Sequence, residues 1–597
     1  MKTVNSGSGL KVRAHKGDAM TLLAFDLSEG RSPNFTGFSI RITPGTRAPY
    51  YLTNLLRYPP SILKKNNIKS SDAGSTLYSP IQKFRWVHVP ATFHQIDRVF
   101  YGTYTCEVTP RYLVDDILQP LDPTRTVTVT IDVSPFRSGN FQIGFTRGFV
   151  ASQAYTSHFG NNSKVRPNKK DLIYDIHAKS GSVTYTKKNG VTVVEDYTFE
   201  DQHIWMGWQA RTRVLEFLDE TIADPKLSLD AFAFDLDEPV VCSRLLKLAA
   251  QGRLRMILDN SASHTGADAS GVAAFEDQFE TEFNLQAAIP STIIRGRFHS
   301  LAHSKVFIQK KTSTNVAVKV LTGSTNFSTN GFYINANHVL VYASRKVAKL
   351  YADAFTASLG TELMKKFKNS DLAIQDHAIE ESGMPDMTIR FAPHTEPVAS
   401  AFFKLISERI KAAESDVLFA IMQDDSASSI LDAVRYVRDN NENIYSYGIT
   451  DTTSTISLYK PHSKHGVLVA GKGGAKILPP PFNKEAAIPG IAIHHKFVVV
   501  DFKGKDPVVY CGSSNLAFGP EQRNGDNLIE IRNLAAVTVF AIEAIRLVDH
   551  FSFRYRTEVS EQIYLKTANS DTPWYASYYD PEDLHCVERL LMISAKR

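Results

Sequence analysis

The 597-residue chain has little of what would tie it to a metal or to the outside of a cell. Its four cysteines, Cys106, Cys242, Cys511 and Cys586, are scattered and show no Cys-x-x-Cys spacing. That excludes a zinc knuckle of this type, speaks against a disulfide framework, and is read as a reducing compartment. The opening residues, Met1-Lys2-Thr3-Val4-Asn5-Ser6-Gly7, contain no apolar run of the kind a secretory leader carries. No stretch reaches the roughly 20 apolar residues of a membrane-spanning helix, so no transmembrane segment is expected. There is no long basic run either: 67 Lys and Arg face 62 Asp and Glu, a formal net charge of +5. A nucleic-acid-binding tail is thereby excluded, while an anionic substrate is accommodated. These absences are read as a cytoplasmic protein.

At this length a single core does not suffice, and two to four domains are expected. Residues 1–148 read as an all-β sandwich of immunoglobulin or fibronectin type. Val127, Val129, Ile131 and Val133 alternate with Thr and Asp, which turns the apolar side chains to one sheet face. Phe38-Ile40-Ile42, Phe84-Trp86 and Tyr104-Cys106-Val108 repeat the alternation, and Pro44-Gly45, Pro59-Pro60 and Pro90 punctuate the gaps. Such a domain is a structural or docking module, through which a protein partner would bind. From 149 onward helix and strand alternate, in an order that occurs twice. The first α/β half is expected over 149–369, a polar linker over 370–387, the second half over 388–560, and a C-terminal tail packed on the body over 561–597.

The repeat carries the chemistry. His303-Ser304-Lys305 precedes the apolar Val306-Phe307-Ile308, and Gly323-Ser324-Thr325-Asn326 follows; His494-His495-Lys496 precedes Phe497-Val498-Val499-Val500, and Gly512-Ser513-Ser514-Asn515 follows. His-x-Lys alone is cheap, and His177-Ala178-Lys179 and His462-Ser463-Lys464 lack the downstream strand and turn, so both are read as surface residues. Cleaving a phosphodiester by double displacement needs a nucleophile, a proton donor for the leaving oxygen, and positive charge around phosphorus. Two histidines meet the first two needs, because imidazole changes charge near working pH. Lys305 and Lys496 stand two residues from their histidines, which on a strand puts both side chains on one face. There they compensate charge on the nonbridging oxygens, and Asn326, Asn515, Ser324 and Ser513, on turns permitted by Gly323 and Gly512, donate hydrogen bonds to the same atoms.

This repeat resembles the phospholipase D superfamily, whose signature is His-x-Lys, four residues, Asp, then Gly-Ser-x-Asn in each of two fused halves. The resemblance implies two α/β halves packed about a pseudo-twofold axis, one shared site, a phosphohistidine intermediate, and no metal or other cofactor. The halves depart from the pattern unequally. Asp501 falls where the signature has its aspartate, whereas the first half has Lys310; Glu530 matches a downstream carboxylate, whereas the first half has Leu340. A carboxylate that accepts from one imidazole nitrogen leaves the other free to attack. On that argument His494 is the nucleophile, oriented by Glu530, and His303 the general acid. The acids at Asp235-Leu236-Asp237-Glu238 and Asp424-Asp425 read as helix caps rather than metal ligands. His299 and His495 adjoin the motifs.

The motif sets a reaction type but not a substrate. A nuclease comes first, supported by slight basicity and by Arg295-Gly296-Arg297 ahead of the first histidine. A phospholipase D or phosphatidyl transferase comes second, with Trp205-Met206-Gly207-Trp208 or Phe332-Tyr333 inserting at a bilayer. A non-catalytic scaffold comes third.

Overall fold

The structure, a computed structural model, describes residues 3–595 apart from 8, 29–33, 91–98, 149–151, 161–162, 169, 187–190, 423–428, 442, 452–455, 460–466, 469–492, 560–563, 568–569 and 571. His462-Ser463-Lys464 and Asp424-Asp425 therefore lie outside the described residues.

The N-terminal region folds as two antiparallel sheets. One orders Thr3–Gly7, Leu10–Lys16, Thr21–Leu27 and Arg85–His88; the other orders Tyr50–Tyr51, Phe35–Pro44, Gly102–Val114 and Ile117–Leu118, with Val127–Val133 also paired to Gly102–Val114. Strand 127–133 alternates buried and exposed residues without a break, as half-buried strands do. Val12 and Phe25 from one sheet and Phe38, Ile40, Cys106 and Val129 from the other meet in one apolar cluster. The C-terminal tail closes that cluster: Trp574 stacks on Phe84 with ring centroids 5.4 Å apart, and Tyr578 is buried against the same ring.

Two larger sheets follow, and six consecutive strands recur in the same order and direction. In the first sheet these are Phe141–Phe145, His338–Tyr342, Ala317–Gly323, Val306–Lys311, Leu227–Ala233 and Leu254–Leu258. In the second they are Asp386–Ala392, Asp526–Arg532, Val508–Gly512, Lys496–Val500, Asp416–Ile421 and Tyr445–Asp451. Only the last pair of each six is parallel. Parallel neighbours need a crossover, and the helices Pro239–Ala250 and Ser429–Asn440 supply it. Glu238 starts the former by accepting from Val241 N at 2.7 Å, ahead of Pro239 in the first turn.

Two expected boundaries are corrected. Strand Phe141–Phe145, placed before a boundary at 148, pairs residue for residue with His338–Tyr342 of the first large sheet. Alternation marks a strand but not its partner, and the N-terminal strands alternate in the same way. The stretch 370–387 is not a bare link: it forms the helix Asp371–Ile374 and the edge strand His377–Ile379, paired to Asp386–Ala392.

Residues 536–548 of the helix Leu534–Val559 are buried among all three regions. Val537, Phe540, Ala544 and Val548 share one core with Ala19 and Leu22 of the N-terminal region, Phe145 and Val339 of the first large sheet, and Phe497 and Val509 of the second.

Candidate active site

The two motifs meet where their central strands begin. His494 N donates to Ala336 O at 3.1 Å, Gly525 N to Leu301 O at 2.8 Å and Ser300 N to Arg523 O at 2.8 Å, so backbone bonds stitch the halves together beside both histidines. Gly323 and Gly512 end the neighbouring strands with φ of +146° and +139°. A Cβ there would stand 2.3 Å from His338 O and 2.4 Å from Asn527 O, so only glycine lets the turns lie this close.

Each histidine takes its partner from the other half. His303 Nδ1 donates to Asp526 Oδ1 at 2.8 Å. His494 Nδ1 lies 2.8 Å from Asn337 Oδ1 and 3.1 Å from Ser324 O. Asn337 Nδ2 donates to Gly331 O at 2.9 Å, so its Oδ1 is the acceptor and His494 Nδ1 the donor. In both rings Nδ1–H is engaged, and Nε2 has no hydrogen bond among the described residues. The histidines are 4% and 7% exposed, which leaves them only a narrow opening. Burial lowers the pKa of His303 to about 4, with Asp526 opposing and Lys305 adding to the shift. Burial, then Lys496 and Lys305, hold His494 well below the usual histidine value.

Asn337 and Asp526 occupy equivalent places. Gly323 pairs with Val339 and Gly512 with Leu528, so His338 matches Asn527, and the residue before each matches too. The expected carboxylate, Glu530, lies four residues further along its strand, about 13 Å away. It is held by Arg390 at 3.3 Å and Arg532 at 2.8 Å, and it does not orient His494. The correspondence of Glu530 with Leu340 is one residue out of register, since the strand pairings make Ile529 the counterpart of Leu340. A sounder signal was present: Asn337 and Asp526 stand at the same offset after Gly323 and Gly512.

Lys305 Nζ donates to His303 O and lies 4.8 Å over the Phe234 ring. Lys496 Nζ donates to His494 O at 2.8 Å and approaches Met422 Sδ at 3.4 Å. Burial lowers both ammonium pKa values, and Lys305 lowers that of Lys496 further. Asn326 Nδ2 donates to Asp235, while the buried Oδ1 atoms of Asn326 and Asn515 have no hydrogen-bond partner among the described residues. The serines are struts rather than donors into the site. Ser324 Oγ donates to Asn337 Oδ1 at 2.8 Å, and Ser513 Oγ accepts from Asn527 N at 3.0 Å. Both serines are fully buried behind the glycine turns.

Asp501 supports only the far end of its strand. It accepts from Glu414 N at 2.8 Å, Ser415 N at 2.7 Å and Arg409 Nη2 at 2.9 Å. Lys310, its counterpart, pairs with Asp230 at 3.0 Å. Among the other candidates, Arg295 is neutralised by Asp277 and Glu280, and His299 faces solvent. Met206, Phe332 and Tyr333 are fully buried and Trp208 is 6% exposed. These four belong to the core and cannot insert into a bilayer, whereas Trp205 is half-buried.

Among the described residues one cluster has metal-binding residue types: ligand atoms of Asp235, His264 and Glu276 lie within 4.8 Å of one another. His264 Nδ1, however, faces Glu276 at 3.1 Å and Nε2 faces Asp235 at 3.4 Å. Burial works against charge on His264, yet the two carboxylates together raise its pKa above the usual histidine value. A cation would have to displace the proton that these carboxylates favour, because a protonated imidazole has no lone pair to offer.

Residues 218–359 match the family model described as cardiolipin synthase, PLD-like domain. No curated protein matches the chain. Among solved structures, the chain is similar to the phospholipase D family member Nuc from Salmonella typhimurium, at 21% identity over 25% of this chain and 85% of that one, with a TM-score of 0.18. Polyphosphate kinase from Porphyromonas gingivalis is similar at 10% identity over 90% of this chain and 78% of that one, with a TM-score of 0.34. Phosphatidylserine synthase from Haemophilus influenzae is similar at 10% identity over 65% of this chain and 94% of that one, with a TM-score of 0.39.

Proposed function

From a chain that carries a phospholipase D-like domain, we propose a metal-independent phosphodiesterase in which two halves, related by a pseudo-twofold axis, share one site and work through a phosphohistidine. The observation that carries this reading is the pair of buried histidines, each donating Nδ1–H to a residue of the opposite half and leaving Nε2 unbonded. The partners differ. Asp526 is a carboxylate and stabilises the positive charge that His303 acquires as it attacks, so His303 is the nucleophile. Asn337 is a neutral amide and leaves His494 a stronger acid, suited to proton donation. This reverses the roles expected from Glu530.

In the proposed cycle, His303 Nε2 attacks phosphorus as the bond to the leaving oxygen breaks, and that oxygen takes the proton from His494 Nε2. His494, now neutral, removes a proton from water. The hydroxide displaces His303 from phosphorus, and both rings return to their starting states. Lys305, Lys496, Asn326 and Asn515 hold the nonbridging oxygens. The phosphodiester's own negative charge raises the pKa values of His494 and the lysines, which burial depresses in the free protein.

Nucleic acid is the favoured substrate, in a cytoplasmic setting. Of the residues that a lipid-inserting reading requires, Met206, Trp208, Phe332 and Tyr333 are buried and Trp205 is half-buried. The N-terminal sheets form an immunoglobulin-type sandwich that serves as a docking module. Parallel turnover of single- and double-stranded DNA, RNA, and phosphatidylcholine vesicles with ethanol separates the substrates. Phosphatidylethanol without nucleic-acid cleavage would overturn the nuclease reading. Each assay is repeated with excess EDTA, and turnover is expected to persist. Loss of turnover restored by one divalent ion would move attention to Asp235, His264 and Glu276 and end the metal-independent mechanism.

A further inference from the structure

Behind His494 a line of buried polar groups runs through the interface between the halves and ends on a carboxylate. Glu543 Oε1 lies 3.3 Å from His495 Nε2; His495 Nδ1 lies 3.2 Å from His338 Nδ1; and His338 Nδ1 lies 3.2 Å from Ser324 Oγ. Ser324 Oγ then donates to Asn337 Oδ1 at 2.8 Å, the atom that accepts from His494. Glu543, His495, His338 and Ser324 are fully buried.

The charge on Glu543 fixes the donors and acceptors along the line. Burial pushes the Glu543 carboxyl up, but Arg546 and His495 together hold it below its usual value, so it is an ionised acceptor. His495 therefore donates from Nε2 and presents a lone pair at Nδ1. His338 must then carry its proton on Nδ1, where it is shared between the lone pairs of His495 Nδ1 and Ser324 Oγ, and its Nε2 has no partner among the described residues. Burial lowers both histidine pKa values, so each ring holds one proton only. The rings stack at 5.5 Å with planes 7° apart, and Phe540 stands edge-on to His338 at 5.3 Å, so neither is free to rotate.

Among the described residues the other half has no such line. Where the first half has His338, the second has Asn527, whose Nδ2 donates to Ser513 Oγ at 3.2 Å and whose Oδ1 accepts from Thr322 and Tyr351. There the near partner of the histidine is itself a carboxylate, Asp526. We propose that His338, His495 and Glu543 are positioning residues for proton donation by His494, fixing Ser324 and Asn337 so that the imidazole presents Nε2 to the leaving oxygen. This rests on the two-histidine reading above.

Leaving-group dependence tests it. A 4-nitrophenyl phosphodiester and an alkyl phosphodiester sharing their other ester group are compared with the full-length protein. His494→Asn is expected to slow the alkyl ester about 100-fold more than the nitrophenyl ester, because nitrophenolate leaves without a proton. His338→Leu is expected to slow the alkyl ester selectively by about 10-fold or more, and His338→Gln, which keeps a donor near Ser324, to restore most of it. Equal losses on the two esters, or no loss, would show a merely structural residue and overturn the inference. Where His338→Leu does not fold by circular dichroism, Glu543→Gln decides: a selective alkyl loss supports the line, and an unchanged ratio overturns it. Should His494→Asn itself show no leaving-group dependence, the two-histidine reading fails and takes this inference with it.

Discussion

At the residue scale, the asymmetry between the two histidines rests on one pair of atoms, the carboxylate of Asp526 against the amide of Asn337. Asp526→Asn keeps the volume and removes the charge that balances an attacking His303. Phosphoryl transfer from a 4-nitrophenyl ester, followed by stopped-flow release of nitrophenolate, is expected to slow on the order of 10²–10⁴-fold. Phosphorus label trapped by acid quench should sit on His303; label on His494 would restore the order expected from sequence. The pH dependence of kcat/KM on this ester follows from the free protein. His303 must be neutral to attack, so activity is present above its pKa and is lost as pH falls through about 4. Lys305 must be charged, and because burial lowers its pKa the alkaline limb should come earlier than for an ordinary lysine. A profile still rising at pH 6 for this leaving group would contradict the assignment.

At the element scale, strand register decides which side chains reach the site. Asp526 and Glu530 lie on one strand, and the pairing of Gly512 with Leu528 puts the first at the histidines and the second among arginines. That pairing depends on the bare backbone of Gly512, where an added methyl would stand 2.4 Å from Asn527 O in a conformation unfavourable to other residues. Gly512→Ala is expected to destabilise the protein by roughly 1–3 kcal/mol. It should also lower turnover more than stability alone accounts for, since Asn515 and Asn527 shift with the turn. Thermal melting and turnover measured on the same sample check both effects. An unchanged melting temperature would mean that the turn has room the structure does not show.

At the scale of the whole molecule, the three regions share polar bonds as well as a core. Arg85, from the N-terminal sheet, is buried between Asp549 of the long helix and Glu588 of the C-terminal tail, the latter at 2.6 Å. Arg85→Ala leaves Glu588 without its cation and Asp549 with only Lys83, at 3.5 Å, and a loss of about 3–5 kcal/mol is expected from chemical denaturation. A chain beginning at residue 149, which sequence boundaries recommend, also loses strand Phe141–Phe145 and uncovers Phe540 and its neighbours. It is expected to be insoluble or molten by circular dichroism and gel filtration. A folded, active fragment would show that the second and third regions hold together without the first.

Much of this was legible in the sequence, because it is written in local patterns. The alternation of Val127 to Val133 dictates a half-buried strand whatever it packs against, and His-x-Lys on a strand puts two side chains on one face by pleat geometry alone. The duplicated order of elements is likewise visible, since each half repeats the same sequence of periods. What only the tertiary structure decided is every choice of partner across long sequence distances. Phe141–Phe145 has the alternation of its N-terminal neighbours but pairs with His338–Tyr342. Asp526 and Glu530 are both acids on one strand, and only the register separates them. His338, His495 and Glu543 become neighbours only when the two halves close on the buried helix. Local periodicity is a property of the backbone, whereas partner choice follows from which surfaces leave water together.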